Sequence, residues 1–330
     1  MKKLLLACAC GLVMTTVFAD QKLLNASYDI SKALFTEYDE LFTSHWAKTH
    51  NGEAINLTTT NAGSTKQAKT VAKNKLHKGR LFDVVTFNQS TDVELLVESG
   101  HIDADWQKRL QNQSSPYYST IAFLVRKGNP KGIKSWEDLT KDGVSTVFPD
   151  PATSGNGRYT ILGVVAYAKE KFPNDETKQD EFLKNFLNHV VLYETGGATA
   201  RKTFAERKVG DVLLSFEAEV RSLADANPDE FEVVVPEVSV LADFYVAVVD
   251  KNVAEQATGE VAKAYLEYLY SKEAQELLAK HNYRVRNAEV AQNQKFGEVR
   301  LKSIKEIGGS WAEVKKTYFD EQGKFSQLRK

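Results

Sequence analysis

Thr120-Ile121-Ala122-Phe123-Leu124-Val125, closed by Arg126-Lys127-Gly128-Asn129-Pro130, is the stretch on which the fold turns. The run is short, strongly apolar and stopped by Gly and Pro, so it reads as a buried strand rather than a helix. A second run of the same kind, Ala242 to Val249, carries Phe244, Val246, Val248 and Val249 and stops at Asp250-Lys251. The chain has 330 residues, more than one hydrophobic core usually organises. Two such strands, far apart in sequence, therefore suit crossings between two lobes. They divide the chain into a leader at 1–19, a first lobe of 20–118 plus 246–330, and a second lobe of 119–245.

Around these crossings, strand-like runs alternate with helical patterns, which is the signature of an α/β fold. Lys22 to Ser27, Ala54 to Thr59 and Asp83 to Phe87 read as strands in the first lobe. Val144 to Phe148, Val190 to Tyr193, Val212 to Leu214 and Phe231 to Val235 read as strands in the second. Leu34, Tyr38, Leu41 and Phe42 recur at helical spacing, predicting a helix over Ser31 to Lys48. Helical patterns also cover Thr65 to Leu76, Val253 to Tyr270 and Lys272 to Lys280.

Lys2 and Lys3, the apolar run Leu4 to Phe18 and the small-residue site Val17-Phe18-Ala19 have the layout of a secretory signal peptide. Cleavage is expected between Ala19 and Asp20, delivering the protein to the periplasm. Leu5-Leu6-Ala7-Cys8 superficially suits lipid attachment instead, but it leaves almost no apolar segment before the cysteine. Both cysteines, Cys8 and Cys10, lie in this leader, so the mature chain is expected to have no disulfide and no cysteine nucleophile. Lys plus Arg number 43 against 44 Asp plus Glu, a balance that argues against a nucleic-acid or membrane-coating protein.

Three loops share one design. Asn61-Ala62-Gly63-Ser64-Thr65, Thr153-Ser154-Gly155-Asn156-Gly157 and Thr195-Gly196-Gly197-Ala198-Thr199 each follow a strand and open a helix. Glycine lets backbone N–H groups approach a ligand closely. A helix start adds unpaired N–H groups and partial positive charge, and Ser or Thr hydroxyls add rotatable donors. The combination suits an anion. Any one such loop is also an ordinary helix cap, and periodicity does not show whether the three meet.

Other chemistries find no motif. The chain has no G-x-x-x-x-G-K-[ST] loop, no complete dinucleotide fingerprint, no H-E-x-x-H pair and no G-x-S-x-G elbow. The six histidines read as scattered surface residues, Tyr117-Tyr118 as packing, and the four tryptophans as core or surface anchors. No cofactor, metal or catalytic residue is expected.

At these loops, and over nearly the whole chain after the leader, the sequence resembles the periplasmic sulfate/thiosulfate-binding protein family. The resemblance is carried by Leu23-Leu24-Asn25-Ala26-Ser27-Tyr28-Asp29, Ser115-Pro116-Tyr117, Phe123 to Lys131, Tyr268-Leu269-Tyr270-Ser271 and Tyr283-Arg284 with Arg286. The family pattern N-P-K-[ST]-S-G-x-A-R appears in part as Asp150-Pro151-Ala152-Thr153-Ser154-Gly155-Asn156-Gly157-Arg158. The resemblance implies a two-lobed type II periplasmic-binding fold that closes by a hinge. It implies the substrate-binding component of an ABC transporter, working as a monomer with a membrane permease and an ATPase subunit.

In that family the anion is held by neutral donors without a salt bridge. By position, Ser64 would give its hydroxyl from lobe one, and Ser154, Gly155, Asn156 and Gly197 would supply lobe-two donors. Phe216 stands where the family has a tryptophan donor, and phenylalanine has no N–H. Asn156 replaces a family glycine, so its side-chain amide is the candidate compensator. Molybdate, phosphate or another oxyanion is the alternative ligand. A secreted ester hydrolase using the same loops for a transition state is the distant one, and it lacks an identifiable nucleophile–base pair.

Overall fold

A computed structural model of the chain describes residues 21–329. The leader, with its cleavage between Ala19 and Asp20, lies outside the described residues. Among the described residues there are thirteen strands: β1 (Gln21–Ser27), β2 (Ile55–Asn61), β3 (Val84–Phe87), β4 (Tyr117–Ser119), β5 (Ile121–Arg126), β6 (Thr146–Pro149), β7 (Val190–Glu194), β8 (Val212–Phe216), β9 (Phe231–Val234), β10 (Val238–Val240), β11 (Ala242–Val248), β12 (Arg284–Val285) and β13 (Arg300–Lys302). They build a sheet in the order β12-β4-β11-β3-β1-β2, a second in the order β7-β6-β8-β5-β9, and the small pair β10-β13.

The apolar runs become strands because both faces are covered. Leu23, Leu24 and Ala26 of β1 are all buried, and β1 pairs in parallel with β2 and β3. Parallel neighbours need a crossover, which the helix Lys32–Thr49 provides between β1 and β2. It buries Leu34, Phe35, Tyr38, Phe42 and Trp46, a stripe at helical spacing. The second sheet repeats the scheme: β6 is parallel to β7 and β8, and the helices Gly155–Lys171 and Glu176–Asn188 connect β6 to β7. Each sheet thus has a central strand whose connections leave in opposite directions, and ligands bind beyond the carboxyl ends of strands at such points.

The crossings are shorter than the apolar runs suggested. β4 pairs within the first sheet and β5 within the second, so the chain passes over at Thr120. The return falls at Leu241, because Ala242, Asp243 and Phe244 already pair with β4. Thr120 ties the two passages together: its hydroxyl donates to Val240 O at 2.8 Å, and its carbonyl accepts from Glu217 N at 2.7 Å. The sequence placed 246–330 in the first lobe, yet the chain from Arg300 onward packs on elements of the second. β13 pairs with β10, Trp311 meets Tyr159 edge-on at 5.4 Å, and Lys324 binds Asp180 at 2.8 Å.

Two further differences have local causes. The helix expected over Val253 to Tyr270 is split into Asp250–Gln256 and Gly259–Tyr268. Ala257 adopts φ 54°, and the Thr258 hydroxyl donates to the buried Asp83 carboxylate at 2.5 Å. His101 is not a surface residue: it is 3% exposed and its ring bonds Asn74 Oδ1 at 2.9 Å. Tyr117 packs as expected, stacked on Phe244 at 5.2 Å. No described helix is long and apolar enough to cross a membrane.

Candidate functional site

The carboxyl ends of the two parallel sets face one another across a cleft. β1 and β2 deliver Asp29 and the Gly63–Thr65 turn; β6 and β7 deliver Ala152-Thr153 and the Thr195–Thr199 turn. All of these segments line one cavity of about 740 Å³. The three loops singled out in the sequence therefore meet. Lys66, Lys69, Lys73 and Lys75 line the same cavity, giving its rim a positive potential toward incoming anions.

Behind that mouth the polar groups are buried. Ser64 opens the helix Ser64–Ala72 and is 4% exposed, with a hydroxyl that has no hydrogen-bond partner. It approaches the Asp92 carboxylate closely enough to lower its pKa, although burial raises that group overall. Opposite, Ser154 precedes the helix that begins at Gly155, and its side chain makes no capping bond. N–H groups in the first turn of a helix have no intrahelical acceptor, which includes those of Gly155 and Asn156. Gly155 is a glycine because nothing larger fits: a Cβ there would sit 2.6 Å from Asn88 Oδ1 and 3.0 Å from Gln89 Cδ. A Cβ on Gly197 would lie 3.1 Å from Ile30, 3.2 Å from Glu219 Oε2 and 3.4 Å from Asn156 Nδ2.

Asn156 is 3% exposed. Its Nδ2 lies 2.7 Å from Ser215 Oγ, which in turn meets the Glu219 carboxyl. This leaves Asn156 Oδ1 and Glu219 Oε1 without partners. Burial pushes the Glu219 pKa up to about 7, with Ser215 pulling down and Asp29 pushing up. Asp29 itself is raised by burial, against the opposing pull of the Ile30, Ala198 and Gly197 N–H groups.

Arg158 fastens the lobes together. From the second-lobe helix it donates to Gln89 Oε1 at 2.9 Å and to Thr65 Oγ1 at 3.1 Å, and Gln89 Nε2 returns a bond to Gly155 O at 3.2 Å. Burial lowers its pKa and nearby Asp92 raises it. The described conformation is thus a closed one.

Phe216 has no polar group to offer. It is fully buried, at 5.7 Å from the Tyr159 ring and 5.1 Å from Phe244, in an aromatic seam that continues to Tyr28 and Tyr117 beneath the cleft. Its neighbour Ser215 reaches Asn156 instead. Sequence reasoning missed Asp29, Gln89, Arg158 and Glu219 as members of this assembly. Arg158 is the last residue of the Asp150–Arg158 motif. Glu219 lies four residues after Ser215, past the end of β8 and in the first turn of the helix Glu217–Ala226, but nothing local marks either as facing a ligand.

The fold is that of a two-lobed, type II solute-binding protein. A profile described as "Bacterial extracellular solute-binding protein" matches residues 29–284. The chain is 44% identical to the thiosulfate-binding protein of Escherichia coli, over 99% of this chain and 97% of that one. It is 42% identical to the sulfate-binding protein of the same organism, over 97% and 96%. Among solved structures, the sulfate-binding protein SubI from Mycobacterium tuberculosis superposes with a TM-score of 0.79 at 26% identity, over 91% of this chain and 100% of that one. The chain belongs to the bacterial extracellular solute-binding proteins, in the family that holds the sulfate- and thiosulfate-binding proteins.

Proposed function

We propose that this protein captures sulfate or thiosulfate in the periplasm, closing its lobes on the anion, and delivers it to the permease and ATPase subunits of an ABC transporter. The observation that carries the reading is the Ser64 hydroxyl. It is buried at a helix start, without a protein partner, and its neighbours Gly63 and Thr65 line one cavity with residues of the two further Gly-rich turns. Relatives named for sulfate and thiosulfate support the choice of ligand. Ser64 donates from the first lobe, with Ser154, Gly155, Asn156 and Gly197 donating from the second, and the position of Phe216 lacks its donor. The hinge lies at Thr120 and Leu241, and the working form is a monomer released by cleavage after Ala19.

The chemistry fits a fully deprotonated dianion. Taking it out of water is costly, and only a nearly complete shell of donors offsets that. A second reading, hydrogen phosphate, draws on the partnerless oxygens of Asn156 and Glu219, because that anion brings a proton needing an acceptor. Calorimetric titration of the mature protein with sulfate, thiosulfate, molybdate and phosphate separates these readings. Heat with sulfate or thiosulfate is the expected result. Heat with phosphate alone overturns the dianion reading, and no heat with any of the four overturns the oxyanion reading.

A further inference from the structure

We infer that Glu219, acting through Ser215, is the positioning residue that turns the Asn156 side-chain amide into an anion donor, and that it does so only while it carries a proton. The inference rests on the oxyanion reading of the cleft. Asn156, Ser215 and Glu219 form a continuous chain, Nδ2 to Oγ at 2.7 Å and Oγ to the carboxyl. All three side chains are at least nine-tenths buried. The Gly197 turn places them beside the cleft, since an added carbon there would touch both Glu219 and Asn156.

Two proton arrangements satisfy these positions. With Glu219 ionised, Ser215 donates to the carboxylate and Asn156 donates to Ser215. Asn156 then presents its partnerless Oδ1, an acceptor, in a cleft built for an anion, and that contact is repulsive. With Glu219 protonated, every bond reverses: the carboxyl donates to Ser215 Oγ, and Ser215 donates to the amide oxygen. The two ends of an amide have nearly the same shape, so turning it by half a rotation fits the same space. The N–H then points where the partnerless oxygen had been. That supplies a side-chain donor to the second lobe, where Phe216 offers none.

The surroundings make the proton available near neutrality. Burial is the main force raising Glu219, to about 7; Asp29, from the turn after β1, adds to it, and Arg201, on the Gly197–Ala205 helix, opposes it. The Tyr283 hydroxyl, just before β12, also feels the carboxyl. An incoming dianion favours the protonated acid further, so binding takes up a proton. More protons bound in the complex means that affinity falls as pH rises.

The test is calorimetry with sulfate, thiosulfate and molybdate from about pH 6 to about pH 8.5, in two buffers of different ionisation heat. If only the protonated form binds, the Kd weakens by up to about 30-fold across that range. Proton uptake near pH 7 is then roughly half a proton per anion. Glu219→Gln keeps a permanent donor toward Ser215, so it should bind as the wild type does at low pH and lose the dependence. Ser215→Ala breaks the chain: binding is weak throughout and equally flat with pH. A wild-type Kd that changes less than about twofold overturns the inference alone, as does a Glu219→Gln variant that folds with a normal Tm yet keeps the wild-type slope. Absence of binding to all three anions at every pH overturns the oxyanion reading and this inference with it.

Discussion

Replacing Ser64 by alanine separates a binding role from a structural one. The Ser64 hydroxyl is buried and has no hydrogen-bond partner within the protein. Removing it costs only the approach to the Asp92 carboxylate, which falls short of a hydrogen bond by geometry. The ligand-free protein should therefore keep its Tm or gain slightly, because removing an unpaired buried group is neutral to favourable. Binding behaves oppositely. A hydrogen bond to a charged acceptor contributes about 1.5–3 kcal/mol, so the Kd for sulfate should rise roughly 10- to 150-fold. Calorimetry gives the Kd, and thermal melts with and without saturating sulfate give the ligand-linked stabilisation, which should shrink in proportion. An unchanged Kd removes Ser64 from the anion's shell. A large drop in the ligand-free Tm would show instead that the hydroxyl supports the fold.

Gly155→Ala puts a methyl group 2.6 Å from Asn88 Oδ1 and 3.0 Å from Gln89, a clash felt only when the lobes close. Overpacking of this kind costs about 1–3 kcal/mol, so sulfate affinity should fall roughly 5- to 150-fold with little change in the Tm of the free protein; an equal loss of free-protein stability would contradict the interlobe account. Phe216→Trp adds an N–H at a position proposed to face the anion and on that reading should tighten sulfate binding about 10-fold. No gain by calorimetry would place residue 216 outside the anion's reach. Burial raises the Asp39 pKa to about 7 against the bonds from Tyr265 and Thr59, so the folded state holds this proton more tightly than the unfolded chain does. Its stabilising contribution is complete below the ordinary carboxylate pKa and is lost as pH rises to about 7. The Tm of Asp39→Asn should therefore gain on the wild type between about pH 5 and about pH 8, and parallel melting curves would refute the assignment.

What the sequence made legible was local chemistry. A Gly/Ser/Thr turn between a strand and a helix declares itself over five residues, so all three loops could be read directly. Strand runs could be read for the same reason, since Leu23-Leu24 and Phe123-Leu124-Val125 are buried on both faces. Short strands could not: β4, β10, β12 and β13 span two or three residues each, too few to show an alternation. The crossings were misplaced because pairing, not apolarity, decides where a strand changes sheets, and Phe244 is as apolar on one side of Leu241 as Ile121 is on the other side of Thr120. Arg158 and Gln89 are 69 residues apart, and no pattern in either neighbourhood reports on the other.

The same separation explains how the cleft can be selective. On the proposed function, neither lobe alone supplies a complete donor shell, because each contributes helix starts from only one face. Closure brings the two sets together, and with it the bonds from Arg158 to Gln89 and Thr65, and from Gln89 to Gly155, span the lobes. These bonds lower the cost of closing, while the anion supplies the difference in affinity between open and closed states, the only quantity that shifts that equilibrium. Arg158 does this with its charge beside Asp92, so the latch adds hydrogen bonds between the lobes while its positive charge is offset. Recognition is then left to short-range donors, which distinguish anions by the protons they carry rather than by charge alone. That is the discrimination a buried, proton-bearing Glu219 would sharpen, since its proton decides, through Ser215, whether Asn156 turns its N–H or its oxygen toward the anion.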